Sequence, residues 1–233
     1  MGANGFHFIG VGLYTVPEAS RLTQVSIGRI RRWMRGYTFR SKSGLRTSER
    51  VVEPLLPLID GAMTLTFLDL LEIRYVDAFL STGVYWSDLR IAHKNAQEMF
   101  GSHPFSRGVF ETDGQRIFED LAHSRSVRPN AAVADMGTNQ LSFRRVVVPF
   151  FKTLEFADGQ AKEWWPLGKN KLIVLNPKRS FGQPIVPREG VPTNILARSY
   201  RVEKSYPRVA RWYEVSERAV RHAVEYEEML TAA

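Results

Sequence analysis

Cysteine is absent from the 233 residues, which excludes disulfides, thiolate metal sites and a cysteine nucleophile and suits a reducing compartment. Long apolar runs are missing too. The longest tract, Pro54 to Leu71, is broken by Pro57, Asp60 and Asp69, so no stretch of about 20 apolar residues exists to cross a bilayer. The N-terminus has no basic region followed by a hydrophobic stretch. Position 6 is Phe where a myristoylated Gly2 would need Ser or Thr. The expectation is a soluble, cytoplasmic protein without a membrane partner. Phosphate loops, dinucleotide fingerprints and nucleophile elbows do not occur, and Gly10-Val11-Gly12 lacks a third glycine. The histidines His7, His93, His103, His123 and His222 show no metal-ligand spacing. A nuclease would need Asp113, Glu119, Asp120 and His123 to hold a metal, but Asp113 is already explained by a turn. No catalytic residue, metal or cofactor is assigned, and an enzyme is not expected.

Apolar residues make up 44% of the chain and charged residues 24%, a globular mixture with enough material for a sizeable core. The net charge of +8 and pI near 9.9 point to a polyanionic partner. Residues 1–50 carry nine basic side chains against Glu18 and Glu49, so nearly the whole excess sits at this end. The last forty residues mix the two signs.

The fold expected is mainly α with two small β elements. Thr15 and the Val16-Pro17-Glu18 start predict a short helix, and Gln24-Val25 a turn. Ser26 predicts the cap of a second helix, Ile27 to Arg35, stopped by Gly36. Residues 37–52, with Gly44 as a turn, read as a wing or a loop. Thr66 begins a helix, Phe67 to Leu80, apolar on more than one face, and Ser87 caps another reaching Phe100 with His93 on its apolar stripe. Asp113-Gly114 and Asp158-Gly159 each sit between apolar runs and predict hairpins over 109–118 and 154–165. Residues 122–137 read as loop, Asn139 to Thr153 as helix, Leu172 to Leu175 as strand and Ser180 to Pro184 as an ordered turn. Thr193 caps a helix to about Glu203, Arg208 to Tyr213 reads as another, and Ser216 caps the last, Glu217 to Leu230. Three regions are expected: 1–53 with a helix-turn-helix, 54–137 as a helical linker or dimerisation region with a β-hairpin, and 138–233 ending in a second helix-turn-helix.

The two helix pairs share one register. Ser20 matches Ala210 where the helices cross, Gln24 matches Glu214 in the turn, Val25-Ser26 matches Val215-Ser216, and Ile30 matches Val220. A helix-turn-helix needs this spacing, although an ordinary helical hairpin can share it. With Ile30 inward, Trp33 and Met34 follow it inward, and the other face carries Gly28, Arg31, Arg32 and Arg35. Together with Ser26 and Arg29, and with Arg40, Lys42 and Arg46 of the wing, these form the candidate DNA-binding set, since Arg reaches guanine edges and phosphates. The same charges would also serve as a solvated basic face. In the last helix the outer face shows Arg218, Arg221, His222 and Glu225, with carboxylates beyond; these, with Trp165, are the candidate partner-binding residues. Strand alternation sends Trp164 and Trp165 to opposite faces, one into the core and the other outward as an interface anchor.

The stretch Tyr14 to Thr23, with Val25-Ser26 and Ile30-Arg31-Arg32-Trp33, resembles the N-terminal helix-turn-helix of MerR-type regulators, with Gln24 where a turn glycine is usual. Ile173 to Pro177, Ser180 to Val186, Gly190 to Thr193 and Val215 to Val220 resemble a small bacterial domain associated with VapB-type antitoxins. The resemblance implies a type II toxin–antitoxin antitoxin, whose partners would be a PIN-like ribonuclease toxin and its own operator DNA. One short recognition helix covers one half-site, so a homodimer is expected, with Leu68, Leu71, Tyr75 and Phe79 as its candidate core. The alternative is a free-standing MerR-like regulator with an effector- or partner-binding middle region.

Overall fold

Thr15 and Glu18 start the first helix with a reciprocal cap. The Thr15 hydroxyl accepts the Glu18 N–H at 3.3 Å, and the Glu18 carboxylate accepts the Thr15 N–H at 2.8 Å, which satisfies two otherwise orphaned donors. The computed structural model describes residues 8–42, 44–109, 146–170 and 172–232. Strand β1 (Tyr14–Thr15) leads into α1 (Val16–Thr23) and α2 (Ile27–Arg35), followed by β2 (Tyr37–Ser41) and β3 (Gly44–Ser48). Then come β4 (Thr64–Leu65), α3 (Phe67–Ser81) and α4 (Trp86–Phe100). Residues 146–152 are helical (α5). Strands β5 (Leu154–Ala157), β6 (Gln160–Trp164), β7 (Val174–Leu175) and β8 (Pro184–Ile185) precede α6 (Thr193–Glu203), α7 (Tyr206–Trp212) and α8 (Glu217–Ala232). The described chain is mainly helical with small sheets. β1 pairs with β4, β2 with β3, and β5-β6-β7-β8 form a four-stranded antiparallel sheet in that order.

Local chemistry explains where the boundaries differ from expectation. Of the wing and the loop, residues 37–41 and 44–48 form the wing, paired as an antiparallel hairpin. Helix α4 begins at Trp86, with Tyr85 at the cap position and no side-chain cap bond, so Ser87 is not its cap. Pro192 is the cap residue of α6, and Thr193 is its first helical residue. The strand expected over 172–175 is only Val174–Leu175, and the turn at 180–184 is a short 3₁₀ segment. The hairpin at 109–118, the loop at 122–137, the start of the helix at 139–153 and the acids Asp113, Glu119 and Asp120 lie in or across 110–145, outside the described residues.

One buried apolar cluster runs through all three expected regions, from Tyr14 and Ile30 through Leu71 and Phe79 to Leu175 and Val220. Tyr14 donates to the Gly182 carbonyl at 2.6 Å. Gly182 has φ +83°, and a Cβ there would lie 2.2 Å from the tyrosine oxygen, so only glycine fits. At the centre is α3. Leu71, Tyr75 and Phe79 are fully buried within this single chain and Leu68 is half-buried. Tyr75 packs on Phe79, Phe105 and Phe150 at ring-centroid distances of 6.5, 5.8 and 4.4 Å. Leu71, Tyr75 and Phe79 therefore belong to the core of the chain and offer no face to a second copy, which corrects the expected dimer contact. The wide apolar surface that suggested a dimer is covered instead by α1, α4, the 3₁₀ turn at Pro104–Ser106 and Phe150.

The polar side chains of α3 are buried in pairs. Asp69 accepts the Thr66 N–H at 2.7 Å and lies 2.7 Å from His103 Nε2. Glu72 lies 2.9 Å from His93 Nε2 and accepts the Ser106 N–H at 3.0 Å. Burial alone would lower the His103 pKa, but its bond to Asp69 and the charges of Asp69 and Glu72 outweigh that and raise it above 6.5.

Two outcomes follow from this core. Leu71→Asp or Phe79→Asp is expected to lose more than about 4 kcal/mol of stability and to unfold the chain; a folded monomer in sedimentation and circular dichroism would contradict this. The His103 contribution is full below 6.5 and is lost as pH rises through the higher folded-state value. Thermal melts should show wild type losing stability relative to His103→Gln as pH is raised through that window, and parallel profiles would exclude the charged pair.

Candidate nucleic-acid interface

Helix α2 divides its faces by sequence. Ile30, Trp33 and Met34 are buried, whereas Ser26, Gly28, Arg31, Arg32 and Arg35 are exposed. The Ser26 hydroxyl accepts the Arg29 N–H at 3.4 Å and so caps the helix. No atom lies within 4 Å of a Cβ built on Gly28, which leaves the first turn open to close approach. The turn before α2 is left-handed at Gln24 (φ +62°), with the Gln24 amide donating to the Arg21 carbonyl at 2.6 Å. A glutamine thus fills the place where a glycine was expected.

The base of the hairpin is joined to this helix and to α4. Gly36 has φ +74°, and a Cβ there would fall 2.5 Å from the Ser48 carbonyl oxygen. The Val51 and Val52 N–H groups both donate to the Trp33 carbonyl, at 2.8 and 3.2 Å. Trp33 stacks on Trp86 at 6.3 Å, and the Trp86 indole N–H donates to Ser48 Oγ at 3.4 Å. Register pairs Phe39 with Arg46 and Arg40 with Leu45, so alternation places these two basic side chains on opposite faces of the hairpin.

The charge of this unit has one sign. No Asp or Glu occurs between Glu18 and Glu49. Arg31, Arg32, Arg35, Arg40, Lys42 and Arg46 are all exposed. Arg32 donates from Nε to the Gly28 carbonyl at 3.3 Å and lies 5.8 Å from the Tyr37 ring centre, which orients its guanidinium. Arg29 differs: it pairs with Asp77 of α3 at 2.7 Å and lies over Trp33 at 5.1 Å. Arg29 therefore fastens α2 to the core instead of standing free on the outer face. Burial raises the Asp77 pKa and Arg29 acts against that rise.

The expected partner-binding residues are dispersed. Arg218 is exposed and donates to the Asn170 carbonyl at 3.3 Å, and Arg221 lies 4.1 Å from the Tyr206 ring centre. Glu225 is exposed. His222 is buried, and its Nδ1 accepts the Leu172 N–H at 3.3 Å, so it is not an outer-face residue. Trp164 is buried, with the Arg74 guanidinium 4.0 Å from its ring centre, and Trp165 is half-buried with its backbone N–H on the Thr153 carbonyl. Glu227 turns inward, accepting from Arg21 at 2.7 Å and from Thr193 at 2.5 Å. The sequence carries no signal for the contacts Arg29–Asp77, Trp33–Trp86 and Arg21–Glu227, because each joins elements distant along the chain. Among the described residues, no group of three or more His, Asp or Glu could hold a metal, and no helix is long and apolar enough to cross a membrane.

No family model matches the chain. A Mycobacterium tuberculosis protein named "Putative antitoxin VapB45" is 24% identical over 223 residues, spanning 92% of this chain and 93% of that protein. The crystal structure of Rv2018 from Mycobacterium tuberculosis superposes with a TM-score of 0.71 at 22% identity, covering 93% of this chain and 99% of that one. The two share a fold over nearly their whole lengths.

Replacing Gly28 by Ala fills open space and removes backbone entropy from the unfolded chain, so it should stabilise the protein by about 0.5–1 kcal/mol. Urea unfolding checks this, and a loss of stability would mean that the first turn of α2 is not open.

Proposed function

We propose that this chain is a DNA-binding antitoxin of a type II toxin–antitoxin pair, which neutralises a PIN-like ribonuclease by direct binding and represses its own operon. The observation that carries the DNA half is the run of exposed cations on α2 and the β2–β3 hairpin, with no acid between Glu18 and Glu49. The antitoxin half is supported by the full-length likeness to the mycobacterial protein named for that role. In this reading α1–α2 is a helix-turn-helix of the MerR-like kind. Arg31, Arg32 and Arg35 enter a major groove, with Ser26 and the open Gly28 at the leading turn, while Arg40, Lys42 and Arg46 track phosphates. Two copies would occupy two half-sites, joined through a surface other than the buried side of α3. The toxin would meet the exposed Arg218, Arg221 and Glu225 of α8, with the half-buried Trp165 as a separate candidate contact.

Electrophoretic mobility shift on the promoter DNA upstream of its own gene, at two salt concentrations and with unrelated competitor, tests the reading. Each phosphate-contacting Arg or Lys removed should lower the salt slope by about 1, and each base-contacting Arg should cost about 1–3 kcal/mol. If Arg31→Ala, Arg32→Ala and Arg35→Ala combined leave affinity unchanged, α2 is not the reader.

A further inference from the structure

Beside the basic face, a cleft of about 840 Å³ opens between residues 47–53, which follow the hairpin turn, and α4. That volume falls in the range of small-molecule sites, about 300–1,000 Å³. Its walls carry Arg35, Arg50, Arg90 and Lys94 against Glu49 and Glu53, an excess of two positive charges. Arg90 pairs with Glu49 at 3.0 Å and Arg50 with Glu53, but both acids are highly exposed, at 83% and 62%. Such pairs exchange readily with a competing anion. Neither Arg35 nor Lys94 forms an ion pair with a described residue.

The deep lining is built rather than incidental. His93 reaches the cleft although its side chain is only 2% exposed, and it is held by the buried Glu72 at 2.9 Å. Val51 and Ile91 add an apolar strip. Ser87, in the first turn of α4, lines the cleft as well, its hydroxyl donating to the Asp88 carboxylate at 3.1 Å. Forked guanidiniums on such a wall favour phosphate oxygens.

We propose that this cleft binds a small phosphorylated molecule, and that its occupation is coupled to the reading face through Arg35. Arg35 is the last residue of α2 and also lines the cleft, so one guanidinium cannot serve a ligand there and the DNA groove at once. Ligand binding stands on the cleft alone, and only the coupling rests on the proposed DNA reading.

Isothermal titration with inorganic pyrophosphate at constant ionic strength, without DNA, tests the site. Saturable one-to-one binding is expected, weakened about tenfold in Arg90→Ala and in Lys94→Ala, with unchanged circular dichroism. No saturable binding, or wild-type affinity retained in both variants, overturns the site. Coupling is read separately: pyrophosphate should weaken operator binding of the wild type and leave Lys94→Ala unaffected. If Lys94→Ala itself weakens DNA binding without pyrophosphate, the cleft is a DNA-backbone contact and the small-ligand proposal falls. If the wild type binds no DNA, the proposed function fails while the calorimetric result still decides the site.

Discussion

Helix α3 is buried on nearly every side, and its three acids each meet a partner from a different element. Asp69 joins its own cap to His103, Glu72 joins His93 of α4 to the Ser106 backbone, and Asp77 takes Arg29 of α2. Arg74 lies over Phe150 and Trp164, 4.4 and 4.0 Å from their ring centres, and burial lowers its pKa to about 10. A buried charge without a partner is far more costly than a paired one. These four side chains therefore specify how α2, α4 and the C-terminal sheet are placed about one spine. The geometry of the basic face is a consequence of that placement, since Arg29 and Trp33 are the residues through which α2 meets α3 and α4.

The two helix pairs that share a register also share a local geometry. Gln24 and Glu214 are both left-handed, at φ +62° and +53°. Ser26 and Ser216 each accept a backbone N–H three residues on, and Ile30 and Val220 are both fully buried. What separates the pairs is their outer charge. α2 exposes Arg31, Arg32 and Arg35 without an acid nearby in sequence, whereas α8 exposes Glu217, Glu225 and Glu228 among its arginines. α8 also buries Glu227 against Arg21, so one acid of the second pair holds down the first helix of the other. Identical spacing has produced two similar frames with opposed electrostatic prospects.

Much of this was legible in the sequence wherever the cause was local. Thr15, Ser26, Thr66 and Ser216 mark helix starts because a hydroxyl three residues from an N–H is a local fact, and Asp158-Gly159 marks its turn because the pair tolerates positive φ. The inward stripe of α2 and the exposure of Arg31, Arg32 and Arg35 follow from helical periodicity. What periodicity cannot supply is the identity of the neighbour. The apolar breadth of α3 is equally compatible with a second chain and with the first chain's own aromatic residues, and Phe105 and Phe150 decide the matter from far along the chain. For the same reason, His222 and Arg29 are exposed on a helical wheel but are engaged by Leu172 and Asp77 in the fold.

The distribution of paired and unpaired cations gives the molecule a direction. Behind the basic face, Arg29 is neutralised by Asp77 and Arg21 by Glu227, so the scaffold carries little net charge of its own. In front, no acid lies between Glu18 and Glu49 to fold back on the exposed guanidiniums. Arginines held by a more buried acid, as Arg21 and Arg29 are, would gain little from a polyanion, because an existing pair must be broken for each new one. Unpaired arginines give up only hydration and counterions, and a paired hairpin lowers the ordering cost that an unpaired basic loop would carry. The pairing of residues 37–48 as a hairpin is thus as important to the electrostatics as the charges themselves, since it decides whether they act as a surface or as a tail.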